Sequence, residues 1–289
     1  MDIVSAKELL KWIYIHKSQG GDDESLYLLL DISGGLTKKQ LYNLKVNSLV
    51  NFPLKESLKE LSNKWFEHLK DKKPIQYICG ATYWRDLKLN VSQDVLIPRV
   101  ETEQIIDIVN TIFPNREQNL NFVDLGTGSG AIAIALALAN PNWQGYATDI
   151  DNNALEVARN NLSNFKKVSN LSFLKGNWWM PLKNLKRGFD LAIANPPYIP
   201  KKVYEKLPFE VKGFEPKRAL YGGDDGFKDI NIIISNAPKY LADKGWLIIE
   251  SHFDQGEKVK KLFLENGFDS ISLINDCFGI GRFTIGRYK

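Results

Sequence analysis

Cysteine, histidine and long apolar runs are scarce in this chain of 289 residues, and each shortage excludes a class of protein. The two cysteines, Cys79 and Cys277, lie far apart, which makes neither a disulfide framework nor a paired-thiolate metal knuckle. A reducing cytoplasm is the expected compartment. Three histidines, His16, His68 and His252, are scattered without an Asp or Cys pattern, so neither a metal centre nor a catalytic triad is expected. Nor is one sign of charge in excess. The 38 Lys+Arg against 34 Asp+Glu leave a net charge of +4, with no basic block suited to gripping nucleic acid. The longest uncharged stretch, Leu125 to Thr148, is apolar only from Ala131 to Ala139, well short of the roughly 20 residues of a membrane span. The opening residues MDIVSAKELLKWIYIHK show no basic segment leading into an apolar one, so no signal peptide and a soluble chain are expected. What remains is ordinary globular composition, 44% hydrophobic and 25% charged, at a length suited to two domains or one with an appendage.

Residues 1–73 predict a small helical bundle. Ser5-Ala6-Lys7-Glu8 forms a capping box ahead of Leu9, Leu10, Trp12, Ile13 and Tyr14. A second box, Thr37-Lys38-Lys39-Gln40, precedes Leu41, Leu44 and Val46, just after the Ser33-Gly34-Gly35 break. A third helix is expected near Leu54–Leu69 from the spacing of Leu58, Leu61, Trp65, Phe66 and Leu69, with the bundle's aromatics in its core. Residues 74–98 alternate in part, through Ile75, Tyr77, Tyr83, Leu87, Leu89, Val91 and Leu96, and predict a β-hairpin connector. From 99 to 289, helices at Gln104–Phe113, Ala131–Ala139 and Ala154–Leu162 mix with six strands. Those are Asn121–Leu125, Gly145–Thr148, Leu171–Leu174, Phe189–Ala194, Trp246–Glu250 and Arg282–Tyr288. Such alternation predicts a doubly wound α/β domain.

Three local patterns in that domain carry chemistry. In Asp124-Leu125-Gly126-Thr127-Gly128-Ser129-Gly130 a strand enters a glycine-rich turn and then a helix. The glycines let a ligand approach the backbone, and the helix start offers free N–H groups. The spacing is neither the dinucleotide fingerprint nor a phosphate loop. Asp149 ends the next strand, where an acidic side chain can accept both hydroxyl hydrogens of a ribose and repel a ribose phosphate; an adenosine-type ligand fits better than NADP. The alternative, a cap for the following helix, is open to Asp151 or Asn152 equally well. Third, Phe189–Ala194 runs into Asn195-Pro196-Pro197-Tyr198. Two prolines stiffen the backbone and remove two donors, leaving carbonyls that only accept. The Asn195 oxygen, the Pro196 carbonyl and the Tyr198 ring together suit a planar NH₂ group.

These elements resemble class I S-adenosylmethionine (SAM) methyltransferases, with a Rossmann-like sheet, that act on planar nitrogen. Further motifs are similar to the HemK/PrmC family of release-factor glutamine N5-methyltransferases: Pro74-Ile75-Gln76-Tyr77-Ile78-x-Gly80, Leu96-Ile97-Pro98-Arg99-x-Glu101-Thr102-Glu103 and Phe214-Glu215-Pro216. So are Ala219-Leu220 before Gly222-Gly223-Asp224-x-Gly226, and Asp276-x-x-Gly279-x-x-Arg282. The resemblance covers about residues 74–289; the helical region matches in size and character only. It implies that Gly126, Thr127, Gly128, Ser129, Gly130 and Asp149 hold SAM, with Asn177 and Trp178 beside the adenine. It also implies that Asn195, Pro196, Pro197 and Tyr198 hold the substrate glutamine, that Asn195, Pro196 and Tyr198 carry the transfer, and that Asn195 borders SAM as well. By the same resemblance the substrate is the Gly-Gly-Gln loop of bacterial class I release factors. Residues 1–73 would then recognise the factor, as part of a monomer needing no nucleic acid or membrane. Three residues depart from the family pattern: Asn177 stands for the common Asp, Val100 for Pro, and Ser251-His252 for the residues that usually follow Glu250. Rival readings are a ribosomal-protein glutamine methyltransferase, an adenine-N6 DNA or guanine RNA methyltransferase, and an inactive SAM-binding module. Nucleobase chemistry would need a basic groove.

Overall fold

The computed structural model describes residues 2–44, 50–115, 117–165, 168–185 and 188–289, so Val46 lies outside the described residues. Two compact units emerge: Met1–Thr82 with Pro208–Phe214, and Tyr83–Leu207 with Glu215–Lys289.

In the first unit, strands β1 (Asp2–Ser5) and β2 (Asn51–Leu54) pair antiparallel beside the helices Ala6–Ser18, Asp23–Ile32, Lys38–Asn43 and Leu58–Asp71. Both expected capping boxes form, with Ser5 and Thr37 each bonded reciprocally to the residue three further on. The helix expected from Leu54 instead begins at Leu58. A third box, Ser57 with Glu60, starts it there, and Leu54 ends a strand. Helix Asp23–Ile32, capped by Asp22, was not anticipated. The aromatics also divide differently from the expectation. Trp12 and Trp65 are buried, but Tyr14 is 77% and Phe66 62% exposed. At about 100° per residue a helix turns Phe66 away from the face that buries Trp65.

The stretch expected as a hairpin is only partly one. Ile75–Cys79 is a short helix, with Ile75 buried and Ile78 and Cys79 packed on the core that contains Trp65. Only β3 (Ala81–Trp84) and β4 (Leu87–Asn90) pair as strands.

The second unit is built on a seven-stranded sheet. Its strands are β5 (Asn121–Leu125), β6 (Gln144–Asp149), β7 (Leu171–Lys175), β8 (Phe189–Ala194), β9 (Leu241–Glu250), β10 (Phe268–Asn275) and β11 (Gly281–Tyr288). They lie in the order β10-β11-β9-β8-β5-β6-β7. β5 to β9 pair parallel, and β11 runs antiparallel to both neighbours. Sequence alternation thus gives the doubly wound domain expected, with β10 added. Two register shifts, and the Ser, Asp and Asn within it, blur the alternation of that edge strand. Along β8 successive side chains enter opposite cores. Leu191 and Ile193 pack with the helix Ala131–Ala139, while Ala192 and Ala194 pack with Ile230, Ile233 and Ile234. Burial on both faces explains why this strand reads as one apolar run.

Register sets where the chemistry falls. Leu125 pairs with Thr148 on one side and Ala194 on the other, and Ala194 pairs with Ile249. Gly126, Asp149, Asn195 and Glu250 therefore all occupy the next position, at the same level on four adjacent strands. This is the carboxyl edge where the chain order reverses between β5 and β8, the usual ligand position of open α/β sheets.

Asn161, fully buried in the helix Asn152–Ser163, ties neighbouring elements to that edge. Its amide donates to the Ser129 carbonyl at 2.8 Å and the Asn90 carbonyl at 3.0 Å, and accepts from the Asn90 N–H at 2.6 Å. Asn161→Ala strands these backbone groups. The urea midpoint should fall by the equivalent of at least about 1–3 kcal/mol, a buried unpaired group's typical cost; an unchanged midpoint would refute this clasp. No helix among the described residues is long and apolar enough to cross a membrane.

Candidate active site

The glycine turn after β5 is held from two sides. Gly126 and Thr127 donate their N–H groups to the Thr148 carbonyl at 2.8 and 2.9 Å, and Gly126 and Gly128 adopt positive φ of 78° and 55°. Asp149 completes the brace: one oxygen accepts the Gly128 N–H and the other the Asp151 N–H, both at 2.9 Å. Asp151 itself caps the following helix through the Asn153 N–H, so Asp149 is free of that duty. Burial raises the Asp149 pKa, against the pull of these two backbone bonds. A carboxylate has about four acceptor positions, so Asp149 keeps room for a diol.

Gly126, Thr127, Gly128, Ser129 and Asp149 line one cavity together with Asn177, Trp178, Asn195 and Pro197. Gly130, Pro196 and Tyr198 are not on its wall. At Gly130, φ is 84° and a Cβ would lie 3.2 Å from that of Ala158, so this glycine serves close helix packing. Trp178, also left-handed at φ 49°, lays its ring against Gly126, where a Cβ would come within 2.9 Å of it. The indole N–H bonds Asp229 at 3.2 Å, which fixes this flat apolar wall. Arg218 also faces the cavity, pairing with Asp151 and donating to the Asp94 carbonyl at 2.8 Å. Sequence reasoning did not reach Asp229 or Arg218. Asp229 carries no local signal, and Arg218 adjoins the Ala219-Leu220 pair.

The Asn195–Tyr198 turn is cast against glycine. A Cβ on Gly222 would sit 2.5 Å from the Pro197 carbonyl, and one on Gly226 would sit 2.3 Å from that of Tyr198, which explains the Gly222-Gly223-Asp224-x-Gly226 spacing. Beside the turn, the Asn195 amide donates to Thr102 Oγ1 at 3.2 Å, and the Thr102 hydroxyl donates to Glu250 at 2.8 Å. The Tyr198 hydroxyl reaches the other Glu250 oxygen at 3.4 Å. Burial pushes Glu250 up to about 7 and raises Tyr198 above its ordinary range. Asp276 accepts the Phe278 and Ile280 N–H groups and pairs with Arg282 at 2.6 Å, closing the turn before β11. Among the departing residues, Val100 is 53% exposed and Ser251 is buried with an unpartnered hydroxyl. No group of three His, Cys, Asp or Glu among the described residues is arranged to hold a metal. Such a cavity can bind an adenosine-like group at Asp149 and offer hydrogen-bond acceptors to an NH₂ group at Asn195.

Residues 116–276, more than half of the chain, match a family model described as a methyltransferase domain. The hMettl16 catalytic domain, in complex with a MAT2A 3′UTR hairpin, shares the fold at a TM-score of 0.57 and 14% identity, over 79% of this chain and 78% of that one. A methyltransferase from Pyrococcus furiosus does so at 0.50 and 17%, over 79% and 98%. Fold and family match together make this a class I methyltransferase. A release factor glutamine methyltransferase from Prochlorococcus marinus is 43% identical over 280 residues, 96% of each chain. Proteins of the same name from Thermosynechococcus vestitus and Coxiella burnetii are each 38% identical, over 81% of both chains and over 74% and 75% respectively. The chain belongs to the release factor glutamine methyltransferase family.

Under the turn, Asp124 is buried and accepts from the Thr127 hydroxyl at 2.6 Å, and burial lifts its pKa to about 7. The folded protein then keeps a proton that the unfolded chain releases near its ordinary value of about 4. The associated stability is full below about pH 4 and is lost as pH rises through about 7. Asp124→Asn keeps an acceptor for Thr127 and removes the titration. Its urea midpoints from pH 4 to 8 should gain on those of the wild type as pH rises; parallel curves would contradict the assignment.

Proposed function

We propose that the protein transfers a methyl group from SAM to the side-chain amide nitrogen (N5) of the glutamine in the Gly-Gly-Gln loop of bacterial class I release factors. One observation carries the reading: Asn195 and Pro197 of the Asn-Pro-Pro-Tyr turn line one cavity with the Asp149-braced glycine turn in a member of this family. The residues present fit the cofactor. Each Asp149 oxygen accepts a single backbone bond and retains capacity for a ribose hydroxyl, the Trp178 ring offers a face to adenine, and the Asn177 amide oxygen can accept from the adenine amine. Gly126 to Gly130 give the backbone the shape that admits it. When bound, SAM supplies a methyl group already activated by a sulfonium charge.

The rest falls to the chain. A glutamine amide nitrogen is a poor nucleophile because its lone pair is delocalised into the carbonyl. Asn195 and the Pro196 carbonyl accept its two hydrogens, favour positive charge building on nitrogen, and align it. Tyr198 and Pro197 confine the amide plane. Positioning and electrostatics carry the rate with no obligatory general base. The first unit engages the release factor, and its exposed Tyr14 and Phe66 are candidate contacts. A monomer in the cytoplasm completes the reading.

Two variants test it. Asp149→Ala should weaken SAM binding by about 1.5–3 kcal/mol in calorimetric titration, the range for a hydrogen bond to a charged group. Asn195→Ala should slow single-turnover methylation of a release factor about 10²–10³-fold at saturating SAM. Unchanged affinity in the first, or a rate within threefold in the second, would overturn these roles.

A further inference from the structure

We propose that Thr102 and Glu250 are positioning residues, which lock the Asn195 amide with its oxygen, rather than its NH₂ group, presented to the substrate nitrogen. The proposal rests on the role of Asn195 argued above and adds what decides which way that side chain points.

An asparagine amide is nearly symmetric in shape, and a half-turn about its last bond exchanges acceptor for donor. For an NH₂ substrate one orientation makes a hydrogen bond and the other sets two donors against each other. The direction must come from the neighbours, and here it follows from their hydrogen inventory. Glu250 ends β9, is 1% exposed, and as a carboxylate has no hydrogen to give. Thr102 lies in the single-turn helix Glu101–Glu103, is 5% exposed, and has one hydroxyl hydrogen. That hydrogen goes to Glu250 at 2.8 Å, so Thr102 can only accept from Asn195, at 3.2 Å, and what it accepts must be an N–H. The Asn195 oxygen is then turned away from Thr102. The chain runs one way, from amide to hydroxyl to carboxylate.

Its direction depends on the charge of Glu250. The groups facing that carboxyl are Thr102 and Glu101 from the single-turn helix, Tyr198 from the proline turn and Arg282 from β11. Ser251 and His252 follow on its own segment. Burial outweighs the hydrogen bond from Thr102 and the attraction of Arg282, which is why ionisation is pushed up to about 7. A protonated Glu250 can donate to Thr102 instead. The hydroxyl hydrogen is then released toward Asn195, and the amide is free to present its NH₂ group to an NH₂ substrate. The active orientation belongs to the ionised form, so turnover falls as pH drops through the Glu250 ionisation, which burial places at about 7 in the ligand-free protein and a cationic ligand moves lower.

The experiment uses the full chain and a purified release factor, with SAM affinity measured separately. Thr102→Val keeps the shape and removes the hydroxyl; kcat should fall about 10–100-fold, the scale of a misaligned reacting group. KM for the factor and the SAM dissociation constant should stay within threefold. Thr102→Ser, which restores a hydroxyl, should recover kcat to within about fivefold of wild type. Glu250→Gln does not titrate, so whichever way its amide settles against Thr102, its kcat–pH profile should lose the low-pH fall. The proposal is overturned if Thr102→Val turns over within threefold of wild type, if Thr102→Ser is as slow as Thr102→Val, or if the low-pH fall survives in Glu250→Gln. Active wild type with an indifferent Thr102→Val sinks only the positioning. Wild type inactive on every glutamine substrate sinks the functional reading, and this proposal with it.

Discussion

Parallel pairing at a single level, Thr148 with Leu125, Leu125 with Ala194 and Ala194 with Ile249, is the constraint on which the site depends. Hydrogen-bond register between parallel strands admits no intermediate positions, and a slip of one residue would send every side chain to the opposite face. With that register, Gly126, Asp149, Asn195 and Glu250 leave the sheet side by side, although they come from widely separated parts of the chain. The turns that follow need only short-range devices to finish the job. Asp149 braces one and glycines at 222 and 226 underlie another, while Asp276 with Arg282 closes the separate turn between β10 and β11.

That division explains what could be read in advance. The Asp124–Gly130 turn, Asp149 and Asn195–Tyr198 each announce themselves within a few residues, because strand, turn and ligand-facing group are contiguous. The α/β layering was legible for the same reason: β5 and β8 are apolar runs bounded by turn residues. Pairings made only by the fold were not legible. Asp229 meets Trp178, Asn161 clasps Asn90 and Ser129, and Thr102 meets Glu250 across long stretches of chain. In the first unit, the tyrosine and phenylalanine taken for core are on the surface, since hydrophobicity alone does not say which helix face turns inward. Ile75–Cys79 misread as strand because five residues with apolar positions one, three, four and five fit either period.

The edge is also electrostatically costly. Asp124, Asp149 and Glu250 are all raised by burial, so the folded protein carries carboxyl groups that water would ionise more readily. Such groups are poorly explained as fold stabilisers and are common where binding and catalysis are arranged. A positively charged ligand near them lowers their pKa values and is itself held more tightly. Stability given up at the carboxyl edge is offset elsewhere, in the two apolar cores that flank the sheet.

The central claim, methylation of a release-factor glutamine, is tested most directly by incubating the protein with methyl-labelled SAM and, side by side, purified class I release factors, ribosomal proteins and DNA. Mass spectrometry of the labelled product locates the methyl group. The account predicts label on the release factor alone, on the side-chain nitrogen of the Gly-Gly-Gln glutamine. Label confined to a ribosomal protein or to DNA, with the release factor unmodified, would contradict it.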